Sequence, residues 1–245
     1  LLDQLRSGMP LAPDKPEETH EATARALWHA AAGQPCAVTR VPHDLPELPA
    51  SRRAELASLL QRRLSGEPLA YITGRQEFLG IEMLASPGAL IPRAETQILG
   101  REALRLLDAI SREHAQPLVL DVCTGSGNIA IAMALQCPAA RIWAADLEQV
   151  ALDVAARNAD HAGVGDRVQW LRGDLFGALE GSAVSSFHLI SCNPPYLTTK
   201  HARNMPREVG GAEPVAQDGR SGEVCAYRSR AALVHQNQPE TDQGA

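Results

Sequence analysis

The sequence predicts an α/β fold, a parallel sheet with helices on both faces behind a small helical domain, on three observations. Short apolar runs at 118–122, 141–145, 167–171 and 187–192 alternate with segments of helical period, the pattern of a doubly wound sheet. Each run closes on a residue that can do chemistry: Asp121, Asp146, Asp174 after Gly173, and Asn193. The first 70 residues instead alternate helix-period and Pro-rich stretches, with no such run.

Taken in order, residues 1–16 are rich in Pro and polar groups and are expected to be poorly ordered. Ala24, Leu27, Trp28 and Ala31 recur at helical spacing and predict a helix over 17–32. Pro35, Pro42, Pro46 and Pro49 make 33–49 a loop. Ser51 is the expected N-cap, with Glu55 in the first turn, of a helix that runs to Leu64 and stops at Gly66. Three apolar pieces between Gly and Pro, in 71–92, read as a β-hairpin-like linker. Helical period returns over 96–112. Within the sheet region, helices are expected at 128–136 and 149–162. No strand is expected in 197–245, and its last dozen polar residues read as a tail. The resulting division is a helical domain over 1–70, a linker over 71–95, the sheet domain over 96–230 and a disordered tail over 231–245.

Composition narrows the function classes. The 245 residues are 44% hydrophobic and 21% charged, as in ordinary globular proteins, and the 4% aromatic content leaves a core of Leu, Ala, Val and Ile. The formal charge is −6, and the pairs Arg52-Arg53 and Arg62-Arg63 do not extend into a basic stripe. That argues against a nucleic-acid partner held by its phosphates. Five cysteines, an odd number without CxxC spacing, read as free thiols in a reducing cytoplasm, with no metal site. No apolar run reaches the length of a membrane span and no secretion signal is visible. The chain opens on Leu-Leu-Asp and not on Met, as a fragment does. A G-x-S-x-G elbow is absent and the eight histidines show no pairing pattern, against acyl transfer; His29 and His114 are expected at the surface.

Between the first strand and its helix lies Asp121-Val-Cys-Thr-Gly125-Ser-Gly127-Asn-Ile-Ala130. Glycines there let a ligand approach the backbone at the sheet's C-terminal edge. On this piece alone a dinucleotide site remains open, with Asp146 as the ribose acid, and so does a plain structural turn. Asp121 at the strand end opposes a pyrophosphate but suits a cation bearing an ammonium and a sulfonium. Asp174 offers an acceptor to an adenine amino group.

The fourth strand ends in Asn193-Pro194-Pro195-Tyr196. Two prolines fix φ twice and remove two donors, and they push Asn193 out of the helical region. The Asn193 side-chain carbonyl and the Pro194 backbone carbonyl can both accept from one planar NH₂ group, and Tyr196 can stack on it. That grip aims the nitrogen lone pair at an incoming methyl group, where alignment matters more than a strong base. The other reading of the tetrapeptide is a strand terminator.

With these pieces in hand the chain resembles the release-factor glutamine N5-methyltransferases, the HemK/PrmC family. The resemblance spans roughly residues 17–227 and rests on 69–78 (Leu-Ala-Tyr-Ile-Thr-Gly-Arg-Gln-Glu-Phe), 90–96 (Leu-Ile-Pro-Arg-Ala-Glu-Thr), 121–127, 193–196 and the Glu-Pro stretch over 208–214. Asn-Pro-Pro-Tyr is shared with adenine N6-methyltransferases; the Ile-Pro-Arg-x-Glu-Thr piece selects glutamine. The resemblance implies a Rossmann-like class I S-adenosylmethionine-dependent methyltransferase sheet of seven strands and an N-terminal domain that engages the protein substrate. It implies S-adenosyl-L-methionine held by Asp121, Cys123, Thr124, Gly125, Ser126 and Gly127, with Asp146 on the ribose, Asp174 and Leu175 on the adenine, and Asn193 beside it. Asn193, Pro194, Pro195 and Tyr196 would bind the substrate amide, with Asn193, Pro194 and Tyr196 catalytic. The substrate implied is the glutamine of a Gly-Gly-Gln loop in peptide chain release factors, met by a monomer in the cytoplasm, away from membranes. Ala94 and Gln97 depart from the family's usual Pro and acid. The C-terminal strands of the seven are expected to be missing, as in a truncated chain, which leaves the fourth strand an exposed apolar edge. An adenine methyltransferase on nucleic acid and an inactive remnant are the alternatives.

Overall fold

The computed structural model describes residues 1–12, 15–184 and 186–194, and by backbone alone Ala94, 225–228 and 233–235. The N-terminal unit is formed by α1 (Leu2–Gly8), α2 (His20–Ala31), α3 (Arg53–Leu64) and α4 (Leu69–Thr73). Helix α1 falls where the sequence suggested poor order. Its single buried apolar residue, Leu5, is too weak a signal to read in isolation, yet it closes the core made by Ala26, Leu27, Leu60 and Leu69, and the Met9 carbonyl accepts from His20 Nε2 at 2.9 Å. Thr19 caps α2 by accepting from the Ala22 N–H at 3.1 Å. His29 is buried rather than at the surface, and its Nε2 donates to the Asp44 carbonyl at 3.1 Å. Ser51 is not an N-cap: the chain enters α3 through a 3-10 turn over Ala50–Arg52, started by Pro49.

Arg63 on α3 is buried and pairs with buried Glu18 at 2.9 Å, tying α3 to the segment ahead of α2. The first piece of the linker is helical, not extended. Tyr71 in α4 donates to the Ala89 carbonyl at 2.9 Å, and Gly74, at φ +68°, ends the helix. The hairpin follows as β1 (Arg75–Phe78) and β2 (Ile81–Leu84), paired antiparallel across Leu79 and Gly80, both at positive φ.

Helix α5 (Ala94–Glu113) leads into β3 (Leu118–Val122), α6 (Asn128–Gln136), β4 (Arg141–Asp146), α7 (Gln149–His161), β5 (Val168–Arg172) and β6 (Leu189–Cys192). The strands β5, β4, β3 and β6 are parallel neighbours in that order. Among the described residues, helices α5 to α7 gather on one face, over Val119, Ile142 and Leu189. The other face, of Leu120, Val122 and Trp143, is covered by Phe187, Leu179 and Val184 from connecting segments. Phe78 of the hairpin lies against α5 where a Cβ on Gly100 would stand 2.8 Å from its ring. No helix among the described residues is long and apolar enough to cross a membrane.

Two strands appear where none was expected. β7 (Cys225–Arg228) pairs antiparallel with β6, and β8 (Leu233–His235) with β7. β6 is therefore not an open edge, and β8 lies inside the segment read as a disordered tail. The unmatched N–H and C=O groups of β6 give these short pieces a partner, a long-range cause that their own four and three residues do not encode.

Replacing Glu18 by Ala leaves Arg63 buried without that partner. We expect a loss of about 3–5 kcal/mol in urea unfolding, with much of it regained when Arg63→Met is added.

Candidate active site

The site lies at the C-terminal edge of β3, β4, β5 and β6. After Val122 the chain turns sharply: Cys123 has φ +56°, Gly125 +55° and Gly127 +79°. The Thr124 N–H donates to the Ala145 carbonyl at 3.0 Å and the Gly127 N–H to the Thr124 carbonyl at 2.9 Å, so the loop is an extension of the sheet that folds back into α6. Gly127 faces packed matter; a Cβ there would stand 2.9 Å from Ala155 Cβ and 3.1 Å from the Trp170 ring. Gly125 faces open space, with nothing within 4 Å of such a Cβ. That is a cradle where a ligand can lie against backbone.

Asp121 is buried. Its Oδ2 accepts from Thr124 Oγ1 at 2.6 Å and its Oδ1 from Ser191 Oγ at 2.6 Å, and the Ala130 N–H also donates to the carboxylate. Three donors within the protein thus hold the carboxylate, because its place in the register sends it to the same face as Ser191. Burial pushes its pKa up to about 6, and these hydrogen bonds only partly offset that.

Asp146 is placed differently. Its Oδ2 accepts from the Gly125 N–H at 2.8 Å and its Oδ1 from the Glu148 N–H at 3.0 Å, and each oxygen keeps a lone pair for a ligand hydroxyl. Its carbonyl accepts from the Gly173 N–H at 3.0 Å, which brings the end of β5 alongside. Asp174 is exposed at the start of a 3-10 turn over Leu175–Leu179, with Leu175 at φ +48°. Leu147 and Phe176, neither singled out from sequence, are each 57% exposed at these strand ends. Exposed apolar side chains beside two carboxylates make a seat for a flat, partly polar ring.

Asn193 continues β6, its N–H reaching the Val122 carbonyl at 3.4 Å. Its Nδ2 donates to Thr96 Oγ1 at 3.4 Å, and its Oδ1 has no partner among the described residues. Pro194 follows, half-buried. Pro195 and Tyr196 lie outside the described residues, as does the 208–214 stretch. Cys123, Thr124, Gly125, Ser126, Gly127, Asp146 and Asn193 are thus brought to one edge, with Asp174 and Leu175 at its flank.

Three contributors were not legible as site residues. Thr96 sat inside a quoted motif without a role. Ser191 is an unremarked strand residue. Asn158 is fully buried in α7; its Nδ2 donates to the Ser126 carbonyl at 3.0 Å while its Oδ1 accepts from the Leu84 N–H at 2.7 Å, joining loop to hairpin. The available signal was an amide on the apolar stripe of α7, beside Ala151 and Ala155.

The raised Asp121 pKa has a consequence for stability. The folded state holds that proton more tightly than the unfolded chain, whose value is 3.8. Stability contributed by this group therefore falls as pH rises from about 4 to about 6 and is level above that. We expect Asp121→Asn to lose this part of the pH dependence in unfolding titrations across that window. An unchanged profile would mean Asp121 is ionised at ordinary cost.

The chain matches two families in order along its length: the PrmC N-terminal domain at residues 14–74 and a methyltransferase domain at residues 119–211. It is 44% identical to a release factor glutamine methyltransferase of Burkholderia pseudomallei over 168 residues, 67% of this chain and 55% of that one. With the enzyme of that name from Chlorobaculum tepidum the identity is 41%, over 71% of this chain and 58% of the relative. These matches span little more than half the length of either relative. The corresponding enzyme of Moorella thermoacetica aligns at 33% identity over 208 residues, 85% of this chain and 70% of that one. With that extent of likeness and the two domains in the same order, the chain belongs to the release factor glutamine methyltransferase family.

Proposed function

We propose that this chain catalyses S-adenosylmethionine-dependent methylation of the side-chain nitrogen of a glutamine, in the Gly-Gly-Gln loop of a peptide chain release factor. The observation that carries the reading is the Asn193 amide, held by Thr96 beside the glycine loop, with its Oδ1 uncommitted among the described residues. The residues present suit the cofactor: open space over Gly125, lone pairs on Asp146, and the apolar seat of Leu147, Leu175 and Phe176 next to Asp174. When bound, it supplies an activated methyl group. Asp146 then holds the ribose hydroxyls, Asp174 and Leu175 the adenine, and the backbone of 123–127 the methionine part.

Asn193 Oδ1 and the Pro194 carbonyl accept the two N–H groups of the substrate amide. With both hydrogens held in one plane, the nitrogen lone pair points across the turn toward the glycine loop. Tyr196 stacks on the amide in this reading. Nothing in the arrangement calls for a strong base; the contribution is alignment. The N-terminal helical domain serves to dock the release factor, and the enzyme works as a monomer in the cytoplasm.

The direct test is incubation with labelled S-adenosylmethionine and a release factor carrying Gly-Gly-Gln or Gly-Gly-Ala. We expect label in the first alone. Label in both, or in nucleic acid added in parallel, would sink the assignment, the latter in favour of an adenine methyltransferase.

Asn193→Ala should lower kcat roughly 100-fold while cofactor affinity, by calorimetry, changes little, since its grip is made in the reacting complex. Thr96→Val should lower kcat about tenfold by freeing the amide to rotate, and Thr96→Ser should restore most of it. Equal losses in kcat and cofactor affinity would count against both roles.

A further inference from the structure

Two cysteines meet at the C-terminal ends of β3 and β6. Cys192 closes β6 and is the register partner of Val122. Cys123 is the next residue after Val122, and its φ of +56° breaks the alternation that would send its side chain to the opposite face. Both side chains pack on the face of Leu120, Val122 and Phe187, close enough for each thiol to perturb the other. Parallel neighbours lie about 4.8 Å apart and Cys123 is one residue beyond the partner of Cys192, a placement compatible with the roughly 4.4–6.8 Å between Cα atoms that a disulfide bridges. Neither thiol is sealed in the core; both are partly exposed.

The pair is also electronically unequal. Contact with Cys192, then burial and the nearby Asp146 and Asp121 carboxylates, keep the proton on Cys123. The same contact lowers Cys192 from the ordinary thiol value, the direction that makes it rather than Cys123 the attacking sulfur. Of the other cysteines with described side chains, Cys137 is buried at the end of α6, and Cys36, beside Glu82, has its thiol pushed up by burial; Cys225 is described by its backbone, opposite Cys192 on β7.

We propose that Cys123 and Cys192 form an oxidisable dithiol that reacts with small-molecule disulfides, and that the Cys123–Cys192 disulfide so formed switches the site off. Cys192 Sγ attacks one sulfur of RS–SR; the S–S bond breaks and one RS⁻ leaves, taking up a proton. Cys123 Sγ then attacks Cys192 Sγ, gives up its proton, and the second RS⁻ leaves as RSH. Two protein thiols become one disulfide and RS–SR becomes two RSH, with no other reagent. The new bond cross-links the glycine loop to the residue before Asn193. Closing the bond draws the two sulfurs from contact to covalent distance, and a displacement of about 1 Å in either half is enough to disable the site. The switching part rests on the methyltransferase reading; the dithiol part does not.

The test uses the full chain, reduced and then exposed to glutathione disulfide at neutral pH. Free thiols are alkylated and peptides mapped without reduction, and S-adenosylmethionine binding is followed by calorimetry. We expect a linked peptide pair joining Cys123 to Cys192, a loss of cofactor affinity of at least roughly tenfold, and recovery with dithiothreitol. A chain with Cys36→Ser, Cys137→Ala and Cys225→Ser should behave alike, and Cys123→Ser should stop at a mixed disulfide on Cys192. Cys225 is the register partner of Cys192 on the other side, so a Cys192–Cys225 link would overturn the pairing, as would a stable mixed disulfide with Cys123 free. A Cys123–Cys192 link with unchanged cofactor affinity would overturn the switch. The peptide map reads the bond whether or not the reduced chain transfers a methyl group.

Discussion

Asp121 holds the two halves of the site in one place. It sits at the end of β3 in register with Ser191 of β6, and one carboxylate takes the hydroxyls of Ser191 and Thr124 at 2.6 Å each. Thr124 belongs to the glycine loop, and Ser191 stands two residues before Asn193. A hydrogen bond to a charged acceptor contributes about 1.5–3 kcal/mol, so the junction is strong, and it is costly too, because the carboxylate is buried. The position of the Asn193 turn relative to the glycine loop follows from this pair of bonds before any ligand enters. A carboxylate here acts as a clamp.

Outward from that junction, the remaining parts are tied by single buried polar links laid over apolar packing. Asn158 joins the Ser126 carbonyl to the Leu84 N–H, so α7 connects the glycine loop with the hairpin. Tyr71 reaches the Ala89 carbonyl, fixing the segment that leads to α5. Thr96, in the first turn of α5, then meets Asn193. The helical N-terminal unit, the hairpin and the sheet are thus linked up to the residue that would grip the substrate. This gives a physical reason for 90–96 to lie so far from the tetrapeptide in sequence and yet beside it in space.

The four parallel strands and the polar residues at their C-terminal ends were legible because a buried parallel strand reads as an apolar run, and because those residues come where such runs stop. The hairpin was legible in part, from Leu-Gly between strand-like pieces; Tyr71 to Thr73 misled because a short apolar piece fits helix or strand alike. What escaped depends on partners distant in sequence. Leu5 needs Leu60 and Leu69 to make α1 worth forming. Strands β7 and β8 need the edge of β6. The direction of Asp121 needs Ser191 opposite it. Ser51 was misread for a local reason, since Pro49 starts a 3-10 turn ahead of it that leaves Arg52 in the capping place.

The junction of β3 and β6 has two faces, and strand alternation gives them different characters. Asp121 and Ser191 point to the helix-covered face and form a permanent lock. Val122 and Cys192 point to the other. Had the chain continued as a strand, Cys123 would have joined the first face; the left-handed turn demanded by the glycine loop returns it to the second, beside Cys192. The same backbone turn that opens the cradle over Gly125 is therefore what places two sulfurs together. A residue without a thiol at either position would keep the turn and the Asp121 lock intact, because neither depends on sulfur. The thiol pair is thus separable from the architecture that positions it, and a covalent bond between the two would act on geometry that the Asp121 clamp has already set.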